Sequence, residues 1–296
     1  MRRSLRRLLE AGGVQAESRT VAAAGTVLHY LEAGAGAPVA LVQGAGGGAG
    51  NWFRILPRLA ERFRVLALDI PGFGLSDAIT PRAPLGIQMA EVLSGWLRAA
   101  GVGRCAVVGT SFGGLAALRL AQREPERVGR LVLLDAAGLG RELPPLVRVA
   151  AAPVLRRLLL RPSRGGTEWL FRHLLIRDRR SLDAESRDAL VDYLFRSAAA
   201  GDPAVLARAL RLFADWRGQR EVLTDAELAS LACPVLVVWG TRDAFLPPAH
   251  AERATRHIPD ATLRWIPDAG HSPNWEAPDA LLRVMLPFLE GRRPPQ

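Results

Sequence analysis

Gly109-Thr110-Ser111-Phe112-Gly113-Gly114 is the most informative segment of this 296-residue chain. An apolar run, residues 106–108, precedes it, and a helix-like segment, residues 115–120, follows it. The pattern Gly-x-Ser-x-Gly between a strand and a helix is typical of a sharp turn that exposes a serine hydroxyl at the end of a sheet. Glycines on both sides of the serine relieve the crowding in such a turn. The pattern therefore predicts that Ser111 is a nucleophile.

Short apolar runs rich in Val and Leu alternate with helix-like segments on both sides of this turn. Continuous runs of this kind indicate strands that are buried on both faces. Their alternation with helices predicts an α/β fold, with a mostly parallel sheet flanked by helices. The predicted strands are 27–31, 39–42, 65–68, 105–109, 131–134, 235–239 and 262–266.

Residues 140–232 interrupt this alternation, because they contain no convincing strand. They are predicted to form an all-helical cap, inserted into a core domain that comprises residues 20–139 and 233–291. A basic N-terminal segment, residues 1–19, precedes the core. The predicted cap helices are 146–160, 167–175, 184–199 and 203–216.

The serine needs a neighbouring base, because a free hydroxyl is a weak nucleophile. His271 lies in a loop directly after predicted strand 262–266, where α/β folds carry their chemistry. A carboxylate usually holds such an imidazole in one tautomer. Asp243, in the loop after strand 235–239, fits this role. Asp135, at the end of the earlier strand 131–134, is the alternative acid.

An acyl-transfer site also needs N–H groups that bind the oxygen on which negative charge develops. Phe112, directly after the nucleophile, is expected to provide one of them. The other is expected from the glycine-rich loop 43–48, which follows an early strand. Ala45 is the predicted donor in this loop, with Gly44 and Gly46 as alternatives.

Taken together, these motifs resemble the α/β-hydrolase family over residues 20–290. The matching stretches are 43–47 with Asn51-Trp52, 69–77, 109–114, 240–243 and 270–278. The resemblance implies an eight-stranded, mostly parallel sheet with a helical cap, and a triad of Ser111, Asp243 and His271. One difference is Gln43, which stands where members of this type usually carry a histidine.

The resemblance extends to two kinds of hydrolase within the family. Segments 71–77 and 271–276 resemble lid-bearing carbon–carbon bond hydrolases that act on meta-cleavage products. Those enzymes usually carry Asn before the nucleophile, where this chain has Thr110.

We expect a serine hydrolase that cleaves an ester-type bond of a small to medium, partly apolar substrate through an acyl-enzyme, without a metal or organic cofactor. A carbon–carbon bond hydrolase and a non-enzymatic ligand sensor are the alternatives.

The composition adds expectations about location and partners. The net charge is +10 and all 39 basic residues are arginine. No nucleic-acid-binding motif accompanies this excess, so a solvated arginine-rich surface is expected rather than nucleic-acid binding. Residues 1–19 lack the apolar stretch of an export signal, and no apolar run approaches the roughly 20 residues that cross a membrane. These features favour a cytoplasmic protein without stable membrane insertion, whose partner is a small-molecule substrate. A monomer and a homodimer both remain open.

Overall fold

The computed structural model describes residues 1–145, 147–148, 162–178 and 180–295. The predicted cap helix 146–160 therefore lies outside the described residues, apart from 147 and 148. Ten strands occur in the described part. They are β1 (Glu17–Ala23), β2 (Thr26–Ala33), β3 (Pro38–Val42), β4 (Arg64–Leu68), β5 (Cys105–Thr110), β6 (Val128–Leu134), β7 (Ala214–Asp215), β8 (Gly218–Gln219), β9 (Val235–Gly240) and β10 (Ala261–Ile266).

Eight of these strands form one sheet, in the order β1-β2-β4-β3-β5-β6-β9-β10. β2 pairs antiparallel with β1 and with β4, whereas all other neighbours are parallel. The predicted α/β class and the mostly parallel eight-stranded sheet are therefore confirmed. Because β3, β5, β6, β9 and β10 run in the same direction, the loops that follow them lie along one edge of the sheet.

Helices cover both faces of the sheet, as the apolar strands require. In β3, Ala40 and Val42 belong to the core on one face, and Val39 and Leu41 to the core on the other. The helices are α1 (Arg2–Ala11), α2 (Leu56–Ala60), α3 (Leu85–Ala99), α4 (Phe112–Arg123), α5 (Arg164–Leu170), α6 (Ala184–Ala200), α7 (Pro203–Phe213), α8 (Asp225–Ala229), α9 (Ala249–His257), α10 (Pro273–Glu276) and α11 (Pro278–Leu289). A 3-10 helix spans Ala49–Trp52, and a π-helical turn spans Phe171–Leu175.

Between β6 and β9, the described elements are mainly helical, whereas an all-helical segment was predicted. α5 to α8 lie here, together with the π-helical turn. One detail differs from the prediction. The helix predicted to reach residue 216 ends at Phe213, and the chain then enters the antiparallel hairpin of β7 and β8. Each of these strands has only two residues, which is too short to give a period-two pattern in the sequence.

The N-terminal segment contains a helix that the charge pattern obscured. Leu5 and Leu8 of α1 are buried although arginines surround them in the sequence. The Ser4 hydroxyl donates to Asp192 Oδ2 at 2.6 Å, and this bond attaches α1 to α6. Within the described ranges, no helix is long and apolar enough to cross a membrane.

Candidate active site

Ser111 lies in a strained turn between β5 and α4. Its backbone has φ 51° and ψ −124°, a conformation that non-glycine residues seldom adopt. The flanking glycines are required by close contacts. A Cβ atom at Gly109 would lie 2.6 Å from the Gly113 carbonyl oxygen, and one at Gly113 would lie 2.2 Å from that of Val42. The turn that the motif predicts is therefore present, and it places Ser111 at the N-terminus of a helix.

The predicted triad residues follow strands that are neighbours in the sheet. Ser111 follows β5, Asp243 lies in the loop after β9, and His271 lies in the loop after β10. Asp135, the alternative acid, follows β6, which lies between β5 and β9. Because all four strands are parallel, the four side chains belong to the same edge of the sheet.

Asp243 and His271 form a buried hydrogen-bonded pair. His271 Nδ1 lies 2.8 Å from Asp243 Oδ2, and the side chain of Asp243 is fully buried. The other oxygen, Oδ1, accepts the backbone N–H groups of Phe245 at 2.7 Å and Leu246 at 2.9 Å. An ionised Asp243 therefore selects the tautomer with the proton on Nδ1, which leaves Nε2 free to act as a base. The structure places Asp243 and His271 in contact. The catalytic roles of Ser111, Asp243 and His271 stay predictions.

The glycine-rich loop after β3 lies directly against Ser111. A Cβ atom at Gly44 would lie 2.8 Å from Ser111 Cβ, so only glycine permits this approach. Ala45, the predicted donor, is the next residue of the loop. Phe112 is the first residue of α4, and the first N–H groups of a helix have no intrahelical acceptor. Both predicted oxyanion donors therefore belong to segments that border the nucleophile.

Among the described residues, no hydrogen bond to the Gln43 side-chain oxygen holds this loop. Its side chain is buried, and Oε1 accepts no hydrogen bond from the described part of the chain. Asp69, directly after β4, provides such contacts instead. Its Oδ1 accepts the N–H of Ala49 at 2.6 Å, and its Oδ2 accepts the N–H of Leu75 at 2.7 Å and lies 2.6 Å from His29 Nδ1. One buried carboxylate thus joins the glycine-rich segment 43–50, called the oxyanion loop below, to the loop after β4.

Helix α6, which belongs to the insertion between β6 and β9, also contacts the oxyanion loop. The Tyr193 hydroxyl accepts the N–H of Gly50 at 3.2 Å, and the Ser197 hydroxyl donates to the Gly47 carbonyl at 3.1 Å. Burial, and then the charge of Asp69, raises the pKa of Tyr193 well above its ordinary value, so its hydroxyl stays neutral. The position of α6 and the shape of the loop are therefore linked.

Glu276 connects the loop that carries His271 to the insertion through hydrogen bonds. Its Oε1 accepts the N–H of Gly270 at 2.8 Å, directly before His271. Its Oε2 accepts the N–H groups of Arg177 at 2.7 Å and Asp178 at 3.0 Å. Burial raises the pKa of Glu276, although these three N–H groups oppose the shift. Sequence reasoning placed Glu276 in a family motif without predicting these bonds.

Replacement of Asp69 by asparagine is expected to lower the free energy of unfolding by about 3 kcal/mol, because it removes a buried charge from three polar partners. The amide group of asparagine would also face N–H groups that need an acceptor. Urea unfolding measures the loss. The exposed Asp77, replaced by asparagine, is the matched control and should unfold as the wild type does. An equal unfolding midpoint for both variants would show that Asp69 does not hold the loops together.

Known proteins are similar to this chain in sequence and in fold. The family model described as alpha/beta hydrolase fold matches residues 37–278. A 2-hydroxy-6-oxo-6-phenylhexa-2,4-dienoate hydrolase from Burkholderia cepacia is 29% identical over 266 residues, covering 88% of this chain and 91% of that protein. A thermophilic esterase from Thermogutta terrifontis is 27% identical with a TM-score of 0.74, covering 94% of this chain and 99% of the other. A bacterial membrane phospholipase A is also 27% identical, with a TM-score of 0.78 and coverages of 98% and 89%.

Proposed function

The chain belongs to the α/β-hydrolase fold family and is a hydrolase, and we propose that it cleaves the ester bond of a small to medium, partly apolar substrate. In this proposal the Ser111 hydroxyl attacks the acyl carbon while His271 Nε2 takes its proton. The N–H groups of Phe112 and Ala45 bind the oxygen that becomes negative. His271 then protonates the leaving alcohol, and water releases the acyl group from Ser111 by the same route.

An apolar cavity beside Phe112 is the observation that supports an ester. It lies between the core and α7 of the insertion. Among the described residues that line it, Gln88 and Asp202 have the only polar side chains, and neither is a cation. Its apolar wall includes Phe73, Leu85, Met89, Phe112, Val205 and Leu206. Such a surface suits the neutral acyl or alcohol group of an ester, because burial of a charge without a partner is costly.

A carbon–carbon bond hydrolase is the second candidate, because the Burkholderia cepacia relative is named for a dienoate substrate. A dienoate carries a carboxylate, which needs a cation or several N–H donors when it is buried. The cavity residues that the structure describes offer no cation, and Asp202 would repel the carboxylate. The similar esterase and phospholipase structures support the ester.

Parallel assays test the choice between the two bonds. Nitrophenyl esters of increasing acyl length are compared with 2-hydroxy-6-oxo-6-phenylhexa-2,4-dienoate, the substrate in the relative's name. We expect a kcat/KM for the best ester that exceeds that for the dienoate by at least about tenfold, a difference of ~1.4 kcal/mol in transition-state binding. A preference for the dienoate would replace the ester proposal by the carbon–carbon one. A protein that turns over neither, and whose Ser111 does not react with a fluorophosphonate, would instead be a ligand sensor.

Replacement of Ala209 by tryptophan tests the role of the cavity. Ala209 lines it from α7, so an indole there should fill the space that a longer acyl chain needs. We expect kcat/KM for an octanoyl ester to fall by about tenfold or more relative to an acetyl ester, since each methylene in an apolar pocket contributes ~1–3 kcal/mol. Ala204, exposed on the same helix, gives the matched tryptophan control. Equal losses for both esters would exclude the cavity as the acyl site.

A further inference from the structure

Asp135 is a buried acid beside the Asp243–His271 pair, and the proposed reaction gives it no role. It directly follows β6, has φ 43°, and is fully buried. Its Oδ1 accepts the N–H of Gly240 at 2.9 Å. Its Oδ2 is also buried, and it has no hydrogen-bond partner among the residues described. A buried carboxylate oxygen without a donor is unfavourable, so this atom needs an explanation.

Two carboxyl groups and one imidazole meet at this point. One oxygen of Asp135, one oxygen of Asp243 and one ring nitrogen of His271 all lie within 4.8 Å of one another. Two carboxylates this close and shielded from water repel each other, which favours one ionised and one protonated group near neutral pH. Asp243 is bound by two backbone N–H groups and by His271, whereas Asp135 accepts, from the described residues, only the N–H of Gly240. These contacts therefore favour the anion on Asp243 and the proton on Asp135.

The surrounding titratable groups favour the same assignment. Burial raises the pKa of Asp135 well above its ordinary value, and the charge of Asp243 raises it further. The N–H of Gly240 opposes the shift, and Glu276 adds to it. His250 is a further titratable group near Asp243. Burial lowers its pKa, although its hydrogen bond with Glu142 opposes the shift, so a neutral His250 provides no compensating positive charge.

We propose that Asp135 is a positioning residue, which stays protonated during turnover and donates its Oδ2 hydroxyl to the carboxylate of Asp243. This explains why no donor from the described residues lies beside Oδ2. A protonated Oδ2 is itself a donor, and the carboxylate of Asp243 is its acceptor. The neutral acid fixes the Asp243 carboxylate against His271. It does so without a second negative charge, which would favour the protonated imidazole that cannot act as a base. The inference rests on the proposed function, because it takes Asp243 and His271 to act in turnover.

Two substitutions of Asp135 test the hydrogen bond. In Asp135→Leu the donor is lost, and we expect kcat on the best ester to fall by about tenfold, the usual effect of one hydrogen bond to a charged group. In Asp135→Asn the amide N–H₂ replaces the hydroxyl as donor, so this variant should recover most of that loss. Equal losses in the two variants would overturn the proposal, because the donor would then be irrelevant.

The pH profile of Asp135→Asn reports whether residue 135 is charged in the wild type. If Asp135 is neutral, the substitution changes no charge, and the acidic limb of kcat/KM should stay within about 0.3 pH units of the wild type. If Asp135 is ionised, its removal takes a negative charge away from His271. The imidazolium would then lose its proton more easily, and the limb would move by about one unit or more to lower pH. That shift would overturn the proposal. A loss of wild-type activity in EDTA would also overturn the proposal. It would mean that a bound cation, and not a proton, lies between Asp135 and Asp243.

An infrared difference spectrum tests the protonation without any substrate. The wild type minus Asp135→Asn should show the carbonyl band of a protonated carboxyl group at pH 7, which shifts in D₂O. Asp192 is the control. Although burial opposes it, hydrogen bonds from Ser4 and Arg196 lower its pKa, so Asp192→Asn should remove only carboxylate bands. Carboxylate bands alone in the Asp135→Asn difference would overturn the inference. Because this measurement needs no turnover, it separates failure of this inference from failure of the proposed ester hydrolysis.

Discussion

Replacement of Ser111 by alanine is expected to lower kcat on a nitrophenyl ester by about a millionfold, the loss that removal of a triad nucleophile produces. The fold should remain, because alanine keeps the backbone hydrogen bonds of this residue. Its N–H donates to the Leu134 carbonyl at 3.0 Å, and its carbonyl accepts the N–H of Ala137 at 2.9 Å. The turn is fixed by the neighbouring glycines and not by the hydroxyl.

Three measurements check this expectation. Turnover gives the loss, thermal unfolding shows whether the variant is folded, and a fluorophosphonate probe should label the wild type but not the variant. Ser230 supplies the control, since its hydroxyl is exposed at the end of α8 and donates to the Glu227 carbonyl at 2.8 Å. Ser230→Ala should therefore keep wild-type turnover. More than about a percent of wild-type activity in Ser111→Ala would mean that another group carries out the attack.

The central strands could be predicted because burial imposes a visible pattern on them. β9 is buried at every position, and its sequence, Val-Leu-Val-Val-Trp-Gly, is apolar throughout. β1 was missed for the opposite reason. It is an antiparallel edge strand whose first four residues, Glu-Ser-Arg-Thr, are exposed, so no apolar run marks it. Burial by other parts of the chain therefore decides which strands the sequence reveals.

The amphipathic pattern of α1 was present in the sequence but was interpreted as a charged segment. Leu5 and Leu8 are three residues apart and lie on one face of the helix, and that face packs against the core. The contact of Ser4 with Asp192 joins residues 188 positions apart. A bond of that kind leaves no local signal, so only the folded chain could reveal that this segment docks on α6.

The motifs located the candidate site but not the contacts that support it. Ser111, Asp243 and His271 each follow a strand, so the order of strands was enough to bring them to one edge. Tyr193 lies 143 positions from Gly50, whose N–H its hydroxyl accepts, and nothing near it in the sequence indicates this bond. The turn at Ser111 is therefore visible in the nearby sequence. The contacts that support the oxyanion loop depend instead on how α6 packs against it.

The choice between Asp243 and Asp135 as the acid is the part of the site that the sequence left open. Asp243→Asn is expected to lower kcat by about ten-thousandfold, the effect of the same exchange in other Ser–His–Asp sites. The reason lies in the second oxygen of Asp243, which accepts the N–H groups of Phe245 and Leu246. An asparagine would place its carbonyl on these two donors, and its N–H₂ group would then face His271 Nδ1.

That orientation forces the wrong tautomer on the imidazole. Nδ1 would have to accept the amide hydrogen, so the ring proton would move to Nε2, and Nε2 could no longer take a proton from Ser111. The fold should persist, because asparagine keeps both backbone acceptor bonds. Turnover and thermal unfolding of Asp243→Asn, measured beside Asp135→Asn, separate the two acids. We expect a ten-thousandfold loss in the first variant and a loss of only a few fold in the second. The reverse result would make Asp135 the acid that orients His271, since one oxygen of Asp135 also lies within 4.8 Å of a ring nitrogen of that histidine.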